Sequence, residues 1–275
     1  MTPREGRFVE VPDGRLSVED QGAGPAVTLV HPGLWDSRTW DPQIGPLVDA
    51  GFRVIRYDCR GYGRSSRLTG SSYSNVRDLR AVLDALDVGT TAVVGCSMGG
   101  SIAVDFTLEY PERVWALVPV ASNPNGMEAL EEEEDWWEAR YRPIEEAIEA
   151  GELDRAQDLR LEIWAPLGVT DEAGRRIRDI AFDNLHEITM DESAAEELDP
   201  PAVHRLGDID VPTMVVIADH DPPDMLRAGD LLARGILGAR KEVVENADHV
   251  VGLRQPDRLN ELLLSFLAEH RPDAS

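Results

Sequence analysis

The sequence predicts an α/β fold: a mostly parallel central sheet flanked by helices, with a helical insertion in its second half. Three observations predict it. Short apolar, β-branched runs at 26–30, 52–57, 91–94 and 114–120 alternate with helical spacings, the pattern of parallel strands covered on both faces. From Asn123 to about His204 that alternation stops and only acidic helical stretches remain. One junction, Val93-Val94-Gly95-Cys96-Ser97-Met98-Gly99-Gly100, passes from strand into helix within about three residues.

The chain has 275 residues, which suits one large domain carrying an insertion. The core is expected at 1–122 and 205–275, and a helical cap at 123–204. With 42% hydrophobic residues a sizeable core can form, yet no window is apolar enough for a membrane span. The stretch 1–11 is charged and lacks the apolar core of a signal peptide, so a cytoplasmic protein is expected. The net charge of −25 speaks against nucleic acid and anionic membrane surfaces as partners. Two cysteines, Cys59 and Cys96, make no disulfide framework.

In order, 8–11 and 16–19 flank the turn Pro12-Asp13-Gly14-Arg15 and read as a hairpin. The strand 26–30 ends at His31-Pro32-Gly33-Leu34-Trp35. A short helix is expected at 43–50. The strand 52–57 ends at Asp58-Cys59-Arg60-Gly61-Tyr62-Gly63-Arg64-Ser65. In 73–86 the apolar residues Val76, Leu79, Val82, Leu83 and Leu86 take helical spacing, with Asp78, Arg80 and Asp84 expected to face out. A helix follows Ser97 to about Tyr110, then a strand at 114–120. Helices are expected at 131–151, 154–164 and 172–184, with the run Glu131 to Glu134 as a solvated helix start. The core resumes with a strand at 213–218, a helix near 224–234, a strand at 241–245 and a final helix at 257–270.

The junction at Ser97 is where chemistry is expected. A strand that turns so sharply into a helix holds its middle residue in strained geometry and lifts Ser97 Oγ above the sheet edge. Gly95 and Gly99 are small because neighbouring backbone passes close. A serine hydroxyl needs an adjacent base, and the base an orienting acid. His249 directly follows the last strand. Asp221 lies just past the strand before it, far enough round its turn to face the histidine, whereas Asp219 is expected to cap that turn. Asp248 points elsewhere from the same loop, and His186, His204 and His270 are read as ordinary surface or packed residues. An oxyanion would need two aimed donors. The Met98 N–H is one, and the Leu34 N–H, preferred to that of Trp35, is the other. His31 is expected to brace the oxyanion loop. Asp58 and Arg60 read as a charge pair outside the triad, Arg60 in a buried hydrogen-bonded pair.

The order Ser97, Asp221, His249, the Gly95-Cys96-Ser97-Met98-Gly99-Gly100 elbow, the His31-Pro32-Gly33 loop and Asp58-x-Arg60-Gly61-x-Gly63-x-Ser65 resemble the α/β-hydrolase superfamily over 8–122 and 205–271. The elbow is similar to that of small bacterial esterases, enol-lactonases and cofactor-free haloperoxidases, which carry a helical cap where this chain has its insertion. Pro32 between the histidine and glycine, and Ala218 where a glycine usually precedes the acid, are departures that alter local geometry and remove no catalytic group. The resemblance implies an α/β-hydrolase fold and a serine hydrolase, without cofactor or metal, acting on a small to medium apolar ester or lactone. Trp35, Trp136, Trp137, Trp164 and Val250 are the candidate substrate contacts. Other reactions on the same triad remain open (carbon–carbon bond hydrolysis, perhydrolysis, acyl transfer), as does a non-catalytic receptor.

Overall fold

A computed structural model describes residues 6–272. Residues 1–5 of the charged N-terminal stretch, and 273–275, lie outside the described residues. The chain runs β1 (Arg7–Val11), β2 (Gly14–Gly22), β3 (Ala26–Val30), α1 (Asp41–Asp49), β4 (Arg53–Tyr57), α2 (Asn75–Ala85), β5 (Thr91–Cys96), α3 (Met98–Glu109) and β6 (Val114–Val120). It continues with α4 (Glu131–Glu149), α5 (Leu153–Trp164), α6 (Glu172–Asp183), β7 (Met214–Ala218), α7 (Pro223–Gly235), β8 (Arg240–Val244), the single turn α8 (Val251–Arg254) and α9 (Pro256–Glu269).

The strands form one sheet in the order β1-β2-β4-β3-β5-β6-β7-β8. β1 and β2 pair antiparallel and all pairs from β4 to β8 are parallel. This is the expected fold class. Every residue of β3, β5 and β7 is buried, as unbroken apolar strands require when helices cover both faces. One face packs on α2, α3 and α7 through Leu79, Leu83, Phe106 and Leu232. The other packs on α1 and α9 through Leu47, Leu259, Leu263 and Phe266. Because the central strands are parallel, their carboxyl ends share one rim, and His31, Asp58, Ser97, Ala121, Asp221 and His249 all follow a strand at that rim.

Three expectations of the reading are corrected here. Asp78 does not face out: it is buried at 4% exposure and takes Arg60 Nε and Nη2 at 2.5 and 2.8 Å. The helical spacing of α2 marks its apolar stripe but leaves the flanking polar positions undetermined. Asp58 is not the partner of Arg60. Its carboxylate accepts from Ser37 Oγ at 2.5 Å and from the Arg64 N–H at 2.9 Å, bracing the next loop. Glu133, inside the acidic run at the start of α4, is buried and pairs with Arg227 of α7, both contacts at 2.6 Å. It also accepts the Leu130 N–H at 2.8 Å, so one carboxylate caps α4 and ties it to the core.

The strands' two flanks of the insertion meet at Asn125, whose carbonyl accepts the Val203 N–H at 3.0 Å. Asn125 Nδ2 in turn donates to Asp105 Oδ2 of α3 at 2.7 Å. Burial pushes the Asp105 carboxyl up to about 6, against the Asn125 hydrogen bond that lowers it. A raised carboxyl pKa means the fold prefers the protonated acid, so this stability is fully present below pH 4 and is lost as pH rises through 6. The loss is up to about 3 kcal/mol at neutral pH, taking roughly 1.4 kcal/mol per pKa unit. Asp105→Asn removes the ionisation and keeps an acceptor for Asn125. Thermal melts should show the variant several degrees above wild type at pH 8, with the gap closing towards pH 4.5; an equal gap at both pH values would refute the assignment.

Candidate functional site

Ser97 is the single residue between β5 and α3, and it sits at φ 52°, ψ −121°. A side chain in that region is strained, and a non-glycine residue stays there only when the surroundings over-determine it. The surroundings are backbone. A Cβ on Gly99 would overlap the Val30 carbonyl, and one on Gly95 would overlap the Gly99 carbonyl, so only glycines let α3 close onto β3 and β5. The Ser97 carbonyl is held by the N–H groups of Gly100 and Ser101 and by Ser122 Oγ at 2.8, 2.9 and 2.9 Å. The Ser97 side chain stands at the start of a 12-residue helix, partly exposed at the rim.

The structure brings Asp221 and His249 together. His249 Nδ1–H donates to Asp221 Oδ1 at 2.7 Å, and the two side chains are 2% and 1% exposed. This contact fixes the tautomer and leaves the Nε2 lone pair on the other side of the ring. The histidine loop abuts the elbow, since the Cys96 thiol donates to the His249 carbonyl at 3.3 Å. Among the described residues Ser97 Oγ forms no hydrogen bond to the imidazole. Asp219 was expected to cap its own turn; its carboxylate instead accepts the N–H groups of Asn246 and Ala247, 27 and 28 residues on, at 2.9 and 3.0 Å, and so braces the histidine loop. Asp248 bonds to Arg254 and not to His249. Its fully buried carboxylate takes Arg254 Nη2 at 2.7 Å, and the same guanidinium reaches Asp171 and the Gly168 carbonyl in the insertion. Burial holds the Asp248 carboxyl above its ordinary range despite Arg254.

On the opposite wall, His31 braces the loop as expected. Its Nδ1–H donates to the Pro32 carbonyl at 2.8 Å and its Nε2 accepts the Cys59 N–H at 2.9 Å. Both nitrogens are occupied in the neutral ring, and complete burial lowers the pKa although Asp58 opposes it. Leu34, two residues beyond Pro32, sits at φ 68°. Among the described residues the N–H groups of Leu34 and Met98 have no protein acceptor, and that of Trp35 has none either. Asp36 in the same loop is pushed up by burial and brought down to about 2 by Arg38 and Asn184. Asn184 Nδ2 donates to Asp36 at 2.8 Å and Asn184 Oδ1 accepts the Gly63 N–H at 2.8 Å, so one amide joins three segments.

The aromatic candidates divide. Trp35 is fully buried and donates its indole N–H to the Ile177 carbonyl at 2.9 Å. With Val250, also buried, it packs on Leu161, Ile177 and Ile180. Both were expected to line a pocket: Trp35 fastens α6 to the rim through its indole N–H, and Val250 packs in the same cluster while also lining a small cavity with Pro32, Trp40 and Cys96. Trp164 does cover the site, its ring centroid 4.2 Å from that of His249. Trp137 stacks next to it at 5.4 Å, and Trp136 meets Trp137 edge-on at 4.8 Å. The reading missed Asp36, Asn184 and Arg254. Asp36-Ser37-Arg38 carried a helix-cap signal that could have flagged the first.

This fold, with a serine elbow and a buried acid–histidine pair on one rim, defines a hydrolase class. A family model described as alpha/beta hydrolase fold matches residues 25–256, and the chain belongs to that family. A relative in Escherichia coli K12, named a 2-hydroxy-6-oxononadienedioate/2-hydroxy-6-oxononatrienedioate hydrolase, is 30% identical over 285 residues, covering 95% of each chain. Among solved structures, Est816, titled an N-acyl homoserine lactone degrading enzyme, is 27% identical with a TM-score of 0.69, covering 94% of this chain and 100% of that one. The enol-lactonase from Burkholderia xenovorans LB400 is 21% identical with a TM-score of 0.73, covering 95% and 100%. Among the described residues no helix is long and apolar enough to cross a membrane.

Proposed function

We propose that this chain is a cofactor-independent serine hydrolase of small to medium apolar esters or lactones. The observation that carries the reading is Ser97 alone between strand and helix at φ 52°, facing a rim on which Asp221 holds His249 at 2.7 Å. Ser97 Oγ adds to the substrate carbonyl while His249 Nε2 takes its proton. The oxyanion accepts the N–H groups of Leu34 and Met98, both free of protein acceptors among the described residues. The tetrahedral intermediate collapses, the C–O bond to the leaving alcohol breaks, and the imidazolium returns the proton to that oxygen. Water, deprotonated by the same imidazole, then releases the acid from the acyl-enzyme. Asp221 holds the imidazole in its tautomer and stabilises the imidazolium in both halves.

A second reading has its own support: the Escherichia coli relative is named for a dienedioate substrate, a dianion whose hydrolysis breaks a carbon–carbon bond. A dianion needs cations to bind. Three guanidiniums of the insertion and its seam with the core are already matched, Arg160 with Glu187, Arg227 with Glu133, and Arg254 with Asp248 and Asp171, whereas among the described residues Arg67 bonds only to the Gly61 carbonyl, away from His249. Aromatic rings, not spare charge, cover His249, and that favours a neutral substrate. Purified protein should turn over p-nitrophenyl butyrate and a γ-lactone, each with kcat/KM at least tenfold above that for a vinylogous 1,5-diketone dicarboxylate. The reverse ranking would move the assignment to carbon–carbon bond hydrolysis.

A further inference from the structure

Trp164 is the last residue of α5, and its indole reaches from the insertion to the ring of His249. The two ring centroids stand 4.2 Å apart, with the planes tilted by 43°. Aromatic pairs ordinarily keep their centroids about 4.5–7 Å apart, and an edge-to-edge approach falls at the wide end of that range, so these rings meet over their faces. The tilt differs from that of Trp136 on Trp137, where one ring turns its edge to the other at 85°. The Trp164 indole is also held in place. Trp137 lies on it at 5.4 Å, and it packs against two apolar clusters of the insertion, one around Leu161 and Ile177 and one around Ile144 and Ala156. The other indole near the imidazole, Trp35, is farther off at 6.5 Å and has its N–H committed to the Ile177 carbonyl.

In the mechanism above, the imidazole takes the Ser97 Oγ proton on Nε2, carries a positive charge, and loses it when the proton passes to the leaving oxygen. The side chains of His249 and Asp221 are 2% and 1% exposed, so that charge arises where little water can solvate it. Asp221 meets it at Nδ1. Across the ring it meets an indole, the aromatic side chain whose negative face attracts cations most strongly. We infer that Trp164 is a further catalytic residue, its indole face stabilising the His249 imidazolium through a cation–π contact. The 4.2 Å separation is well inside the roughly 6 Å over which such contacts act, and desolvation strengthens them. The attraction appears only with the charge, so it lowers the barrier without tightening the binding of substrate. It also makes the docked insertion part of the catalytic apparatus, because the indole is supplied by α5. The inference rests on the hydrolase reading and adds to it a group that no triad motif announces.

Fluorination tests the inference at nearly constant shape, since each fluorine draws electron density from the ring face and so weakens its hold on a cation. Tryptophan at position 164 alone is replaced by its mono-, di-, tri- and tetrafluoro forms, and kcat and KM are measured for p-nitrophenyl butyrate and ethyl butyrate. The logarithm of kcat/KM should fall in even steps with fluorine number, to a total loss of roughly tenfold to thirtyfold. The loss should lie in kcat, with KM within about twofold of wild type, and should be equal for both esters because both pass through the imidazolium. The same series at Trp137, which lies on Trp164, should leave kcat within about twofold. Trp164→Leu, apolar but without a π face, should lose at least as much as the tetrafluoro form. A flat series at 164, a series that moves KM alone, or an equal fall at Trp137 would overturn the inference. A fall confined to the aryl ester would also overturn it and make Trp164 a substrate contact. Each of these outcomes leaves the hydrolase reading standing, whereas wild-type protein inert towards both esters would overturn that reading and the inference with it.

Discussion

Ser97→Ala should lower kcat/KM for p-nitrophenyl butyrate by roughly 10⁴- to 10⁶-fold while the protein melts at the wild-type temperature. The structural half of that result follows from the local bonding. The elbow is held through the Ser97 carbonyl, which takes two backbone N–H groups and Ser122 Oγ, and none of these involves the hydroxyl that the substitution deletes. The kinetic half follows from the chemistry, because without the oxygen nucleophile no acyl-enzyme forms and only binding and the oxyanion donors remain. Ser97→Gly sharpens the test. At φ 52°, ψ −121° a Cβ is strained by about 1–3 kcal/mol, and glycine adopts that conformation without penalty. The glycine variant should therefore be as inactive as the alanine one and melt higher than wild type. An alanine variant with more than a few per cent of wild-type activity would remove Ser97 from the nucleophile's role, whatever its stability.

What could be read from residues and what could not divides along sequence distance. That Ser97, Asp221 and His249 lie on one rim was legible because each follows a strand whose apolar run announces it, and a parallel sheet collects the ends of such strands. Asp219 read as the cap of its own turn, whereas the N–H groups it binds lie in the loop after β8, 27 residues on, which its sequence neighbourhood does not announce. The fastening of the insertion was not. Trp35 bonds to Ile177 across 142 residues, and Asp36 to Asn184 across 148, and no periodicity encodes such pairings. Trp35 accordingly read as a pocket wall, since its place beside the oxyanion loop was visible and the helices that cover it were not.

Arg60 carries the largest expected effect on stability. The sequence places it in a buried pair, and the pair exists, but with Asp78 of α2 in place of Asp58 two positions earlier. Its guanidinium makes two contacts to that carboxylate and a third to the Pro12 carbonyl at 2.7 Å, joining the β1–β2 turn, the loop after β4 and α2. The side chains of Arg60 and Asp78 are 7% and 5% exposed, so solvent screens the pair little. Arg60→Ala would strand the Asp78 carboxylate in the core, and removing one partner of a buried pair costs about 3–5 kcal/mol. Urea unfolding should register that loss as a lower midpoint at unchanged slope. Asp78→Asn in the Arg60→Ala background should recover part of it, because the stranded charge and not the missing contact is the larger cost. If the double variant is no more stable than Arg60→Ala alone, the penalty lies in lost packing against Tyr73, over whose ring the guanidinium sits at 5.8 Å, and the electrostatic account of this corner fails.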